Sequence, residues 1–468
     1  MKLKNKKLYF YTPYAIIFIN FIFNKVHLSL NSTIAKINIF DLISTSLLFF
    51  LLLLIGKSVK KFLDLPYVTS GIIFYLLSFF VFDNFILFFY QGLTTSEIYV
   101  FVNFIWIIIF LINKQFKNFA ASSIIYILLT IFNNVYYLNL SKNQNIIGAV
   151  KDIHFEHVKN IYEKSYFYSI NNPTLEGYPQ LVAYLQALLN KILFFDNNFI
   201  YLKSSTFLLL FLSILLFNEV SLKKSSKAII SILFISIIYN SEWLKILFVN
   251  SLMTEGMLSY LFCSILISLT KNIEEKSKRS YISFFLLGIL YLSKQFISLI
   301  GIIIIFYFLL DTRFRKSAFF GLIGLTIKET SSYLHFSKIT KNYHLKEVDF
   351  LDTIFDLLLY RNLKLENIVI IFRNLLVDRP FALLTLYFFI LLILNFRKFG
   401  FQKNSFNLLP VTALLNYLFI FILYISIWRN MELESPIRYM LNFLHIILIS
   451  QFKFIDNLFE NKLTKSTK

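Results

Sequence analysis

The stretch YISFFLLGILYLSKQFISLIGIIIIFYFLL, Tyr281–Leu310, decides how the whole chain is read. Its only charged side chain is Lys294. At roughly 30 residues the block is too long for one ordinary bilayer crossing, which takes about 20. Broken at LSKQF, it becomes a hairpin of two short apolar helices with Lys294 at the turn. The gap before it, KNIEEKSKR (271–279), is charged, and the gap after it carries Arg313, Arg315 and Lys316. Basic gaps of this kind are retained in the cytoplasm, which sends Lys294 to the outer face.

Working outward from that hairpin, apolar runs recur along the chain. Allowing 17–25 residues for a comfortable crossing and accepting shorter runs, about fourteen spans are expected. On the N-terminal side they are 8–23, 40–55, 67–82, 98–112, 119–137, 199–217, 228–239 and 251–269. On the C-terminal side they are 318–327, 381–396, 406–427 and 439–452. Every short gap that alternation assigns to the cytoplasm is net basic, and both termini are expected inside. The N-terminus resembles a signal peptide without a small-residue cleavage site, which predicts an uncleaved first span. The fold class expected is therefore all-α and polytopic, in the cell's inner (cytoplasmic) membrane.

Composition agrees. Hydrophobic residues make up 57% and charged residues 15%, and the mean hydropathy is +0.67. The formal charge of +20 is spread over short gaps between apolar runs. No basic soluble domain gathers it, so membrane orientation is expected and a nucleic-acid partner is not. The one cysteine, Cys263, lies in an apolar run and leaves no intramolecular disulfide or multi-Cys metal site to consider. With 11 glycines, 7 prolines and no matched pair of broken spans, the pattern of inverted-repeat transporters is missing.

The trace leaves two larger outer loops, 138–198 and 328–380. Each holds a segment with the pattern of a helix lying on the membrane surface or capping the bundle. One follows Pro179 with Leu181, Val182, Leu185, Leu188, Leu189 and Ile192. The other spans 352–377. The first loop contains the longest polar interval, KDIHFEHVKNIYEKSYFYSINNPTLEGYPQL (151–181). As a helix it sets Asp152, Glu156, Lys159 and Glu163 on one stripe and Phe155, Val158, Tyr162 and Tyr166 on another, with His154 and His157 to one side.

Two readings of that stripe stand together. A carboxylate raised in pKa by burial acts as general base toward a hydroxyl, or Glu156, Lys159 and Glu163 simply pair along a solvated helix. A divalent cation on Asp152, His154, Glu156 and His157 is a further option, although the helical spacing separates the histidines from the carboxylates. Lys294 and Arg438, the latter in ESPIRYM before the last span, lie at outer headgroup depth. Each suits a lipid phosphate or an interfacial anchor. Glu255, in NSLMTEGMLSYLF, either bonds within the bundle or faces a substrate. No glycine-rich phosphate loop or dinucleotide unit occurs, which points to a donor delivered by the membrane.

The order of these pieces resembles the GT-C superfamily of polyprenyl-phosphate-sugar-dependent glycosyltransferases. It is most similar to bacterial relatives of the protein O-mannosyltransferases and the lipid A aminoarabinose transferase. KDIHFEHVK, EGYPQLVAYLQALL, NSLMTEGMLSYLF, GILYLSKQF and ESPIRYM carry the resemblance over roughly residues 150–450. The sequence departs from the pattern in having no tryptophan around the loop Asp, Gly177 before Tyr178-Pro179, and Gln295-Phe296 after Lys294. The resemblance implies a GT-C-like catalytic region over 138–468, preceded by N-terminal helices over 1–137.

It also implies Asp152 as general base, with Glu156 as the second choice, and Lys294 and Arg438 beside the donor phosphate. His154, His157, Lys159, Tyr178 and Glu255 are then expected to line the substrate. The expected reaction is transfer of a sugar from a polyprenyl phosphate to a glycan, lipid or protein hydroxyl at the outer face. The alternatives are an O-antigen polymerase or ligase, which transfers a whole glycan, a flippase or transporter, which breaks no bond, and a structural membrane subunit with no activity.

Overall fold

The computed structural model describes residues 255–275, 280–290, 295–326, 379–399, 408–426 and 443–460 as continuous stretches. It adds positions among 52–78, 97–109 and 368–373, and residues 159, 213, 216, 277 and 440. The described residues are helical almost throughout and include no strand. Two helices, Gly256–Glu274 and Pro380–Phe399, are long and apolar enough to cross a membrane. By contact the chain divides into two compact units, one of 28–219 and 247–341 and one of 1–27, 220–246 and 342–468.

The first unit contains α1 (Glu255–Glu274), α2 (Ser280–Ile289), α3 (Gln295–Leu310) and α4 (315–326). A hydrophobic helix must still satisfy its hydroxyls and amides, and here they bond inward. Ser264 and Thr270 turn back to the Tyr260 and Leu266 carbonyls of their own helix. Ser268 and Ser283 share a buried hydrogen bond of 3.0 Å between α1 and α2. The Asn272 amide donates to both, at 3.4 Å and 3.2 Å. This contact, next to a connection of only a few residues, makes α1 and α2 an antiparallel pair. Tyr260 Oη donates to Thr69 Oγ1 at 2.6 Å, tying α1 to the helical stretch 69–75.

The predicted break of the Tyr281–Leu310 block is present: α2 ends at Ile289 and α3 begins at Gln295. Phe284 meets Phe308 edge-on at 5.3 Å, and a Cβ at Gly301 would sit beside Leu287 at 3.6 Å. These pairs advance in opposite senses, so α2 and α3 are antiparallel. After a turn at Asp311, α4 folds back along α3, with Phe308 against Phe314 at 5.8 Å and Gly321 against Ile305.

Helix α4 runs parallel to α2, linked by Ser280–Ser317 at 2.8 Å and Tyr281–Phe320 at 5.4 Å. Farther along, Gly288 crosses Gly321 and Gly324 backbone to backbone. A Cβ on Gly288 would meet the Gly321 carbonyl, and one on Gly324 the Phe285 carbonyl. Small residues at a close crossing are the usual way for helices to associate where burial from water is not the driving force.

The second unit contains α5 (Arg379–Phe399), α6 (Leu408–Ser426) and α7 (Leu444–Glu460). Phe388 is its aromatic centre, with ring contacts to Tyr417 of α6 at 5.7 Å and Phe454 of α7 at 6.0 Å. Gln451 donates to the Leu384 carbonyl at 2.7 Å, Asn395 to the Phe454 carbonyl at 3.2 Å and Lys398 Nζ to the Asn457 carbonyl at 3.5 Å. The pairs advance together, so α5 and α7 are parallel. Asn416 of α6 is fully buried, and among the described residues its side-chain amide has no hydrogen-bond partner.

Boundaries differ from the expected spans where packing outlasts the apolar run. Helix α1 continues past Leu269 to Glu274, because Thr270 and Asn272 still bond inside the unit. Helix α7 continues past Phe452 to Glu460, because Phe454 and Asn457 still meet α5. The short predicted span at 318–327 is a helix over 315–326. The ten residues of α2 extend about 15 Å, below the ~30 Å hydrocarbon thickness. Positions 368, 369 and 371–373, within the segment expected as a second surface helix, are helical, with Ile371 buried and Val369 and Phe372 exposed.

Two predictions follow from this packing. Gly288→Ala should lower the melting temperature in detergent, at a cost of about 1–3 kcal/mol, because a backbone cannot yield to the added methyl. Gly301→Ala, which meets only ordinary contacts, should leave it unchanged; equal losses would mean that the Gly288 crossing is not tight. Asn416→Leu should stabilise, since replacing a buried unpaired amide removes a penalty of about 1–3 kcal/mol. A lower melting temperature for that variant would reveal a partner for the amide.

Candidate functional site

Glu255 is the first residue of α1. The 271–280 connection lies at the opposite end of that helix, where Asn272 and Ser283 meet. Since α1 and α2 are antiparallel, Glu255 falls at the end of the unit where α2 stops and α3 starts. The helices flanking Lys294 therefore terminate at the same end as Glu255, although Lys294 itself lies outside the described residues. Of the expected site positions, Glu255 is the one whose place at this end is described.

That end has a consistent electrostatic character. Helices α1 and α3 both start there, and each helix N-terminus presents unpaired N–H groups and a partial positive charge. Two parallel helices that start at one end of the unit favour negative charge there.

The other end of the same helices is chemically different. There the connections 271–279 and 311–316 hold seven basic residues against three acidic ones. Asp311 is already engaged by Arg313, whose Nε and Nη2 donate to its two oxygens at 3.0 and 2.7 Å. That ion pair raises the guanidinium above its ordinary pKa, through the hydrogen bond first and the charge second.

In the second unit, α5 and α7 run parallel. Their C-terminal ends lie together, where Lys398 donates to the Leu458 carbonyl and rests over the Phe399 ring at 4.6 Å. Arg438 lies outside the described residues. Of the loop constellation, Lys159 is described: it is helical and half-buried. Asp152, His154, Glu156, His157 and Tyr178 lie outside the described residues, as does the cation arrangement considered for four of them. Among the described residues no group of three His, Cys, Asp or Glu side chains could hold a metal.

Reading the sequence missed the polar residues inside the helices. His445, Gln451 and Asn395 are fully buried in α7 and α5. The available signal was their isolation within apolar runs, where a polar side chain is costly unless it is bonded within the bundle. Comparison with protein-family models, with characterised proteins and with solved structures finds no match to this chain.

Proposed function

We propose that the chain is a multi-pass glycosyltransferase of the GT-C type in the inner membrane, working at the outer face on a sugar carried by a polyprenyl phosphate. The observation that carries the reading is the shared end of Glu255 and the helices flanking Lys294, set opposite the basic connections. By the positive-inside rule the basic end is cytoplasmic. The anion-suited end then faces outward, at the depth of the lipid phosphates. The two long apolar helices and the all-helical described part support the membrane setting.

In the proposed reaction an acceptor hydroxyl gives its proton to Asp152, or to Glu156 in its place, and its oxygen attacks the anomeric carbon with inversion. The bond between that carbon and the donor phosphate oxygen breaks, and the polyprenyl phosphate leaves with the electron pair. Lys294 and Arg438 stabilise the charge that develops on it. Fixed charges of this kind favour the transition state because they need no reorganisation as the bond breaks. Tyr178, His154, His157, Lys159 and Glu255 orient sugar and acceptor.

Two outcomes test the reading with purified protein and a panel of polyprenyl-phosphate sugars. Release of polyprenyl phosphate is expected with at least one donor, and Lys294→Ala should slow it by on the order of 10²–10³. Asp152→Asn should reduce transfer at least as much while leaving donor binding in place. Near wild-type transfer by the Asp152→Asn, Glu156→Gln double variant would remove the loop carboxylates from the mechanism, and movement of an intact donor across vesicles without bond cleavage would favour a transporter.

A further inference from the structure

The basic end of the first unit carries more than the charge that orients it. Helix α3 ends with its apolar side exposed: Phe306 is 54%, Tyr307 67% and Leu310 80% accessible. Helix α4 starts beside it with Phe319 and Phe320 exposed at 55% and 42%. Between these two apolar faces lies the turn 311–314, followed at once by Arg315 and Lys316, both exposed.

Asp311, the acidic residue of the turn, pairs with Arg313 through both its oxygens. Arg315 is braced instead by a hydrogen bond from Nε to the Leu309 carbonyl at 3.0 Å. That bond orients the guanidinium and leaves its charge uncompensated within the turn. Glu274 and Glu275 also close α1 at this end, yet the two connections together stay net basic.

We propose that Arg315 and Lys316 bind the headgroup phosphate of an anionic membrane phospholipid, whose acyl chains lie against Tyr307, Leu310, Phe319 and Phe320. The occupant follows from charge and shape. A guanidinium braced from one side offers its remaining N–H groups to phosphate oxygens as a fork. The exposed aromatic and aliphatic side chains beside it match hydrocarbon, and Tyr at the boundary matches the headgroup layer. A soluble phosphate ester would use the charges but leave that apolar face in water. Basic residues held at a negatively charged leaflet attract its lipids within a Debye length. The proposal rests on the membrane reading above and gives the cytoplasmic end a ligand that is not the donor.

The test uses the full chain reconstituted from equal mixtures of phosphatidylglycerol and phosphatidylcholine, with retained lipid read by native mass spectrometry. Wild type should retain phosphatidylglycerol preferentially, and Arg315→Gln with Lys316→Gln should reduce that preference by about five-fold per basic residue removed. The exchanged variant Arg315→Lys with Lys316→Arg should keep most of it. Should the neutral variant fail to fold, wild type alone decides: its preference should fall as salt is raised from low to high ionic strength.

A preference that survives the neutral variant, or that ignores salt, overturns the proposal. Integration into phosphatidylcholine bilayers is scored separately by resistance to carbonate extraction. A chain that integrates but shows no preference defeats the lipid site alone, whereas a chain stripped by carbonate defeats the membrane reading as well.

Discussion

The buried hydrogen bond between Ser268 and Ser283, joined by the Asn272 amide, fixes α1 against α2. Three polar groups that find no water in an apolar interior have one economical solution, which is to meet each other across the two helices. Their meeting sets both register and direction. From it follows the end at which Glu255 falls, and from the α2–α3 hairpin follows the end at which Lys294 is flanked. A seam of a few hydroxyls thus decides which residues share a face of the molecule. Ser280–Ser317 and the Gly288 crossing extend the same logic to α4.

In the second unit side-chain amides do the same work by another route. Gln451 and Asn395 each donate to a main-chain carbonyl of the neighbouring helix. Such bonds are directional and hold α5 and α7 parallel, with Phe388 packed between Tyr417 and Phe454. Asn416 is the exception, a buried amide with no partner among the described residues. The cost of such a group is large enough to measure against the small net stability of any fold.

Much of the helical layout was legible because the bilayer argument is about length and sign. A 30-residue apolar block must break, and Lys294 marked where; the observed helices stop at Ile289 and restart at Gln295. Helices α5 and α6 begin and end within a few residues of the expected spans. What hydropathy does not register is contact between distant residues. The run-on of α1 to Glu274 depends on Asn272 reaching Ser283, and that of α7 on Phe454 meeting α5. The Gly288 crossing depends on two glycines some 35 residues away, and no local pattern announces it. At the site, Glu255 and Lys294 could be assigned to one end from alternation alone. Alternation sets the loop carboxylates on the same side but does not fix how that loop folds, and of it Lys159 is the position described.

The central claim is that the Glu255–Lys294 end faces outward and the 311–316 end faces the cytoplasm. Cysteine accessibility tests it directly, because the only native thiol, Cys263, is buried in α1 and can be removed as Cys263→Ser. In that background Lys294→Cys and Thr312→Cys are each exposed to a membrane-impermeant maleimide on intact cells. The account predicts labelling at position 294 and none at 312 until the membrane is permeabilised. Labelling at 312 with protection at 294 would contradict it.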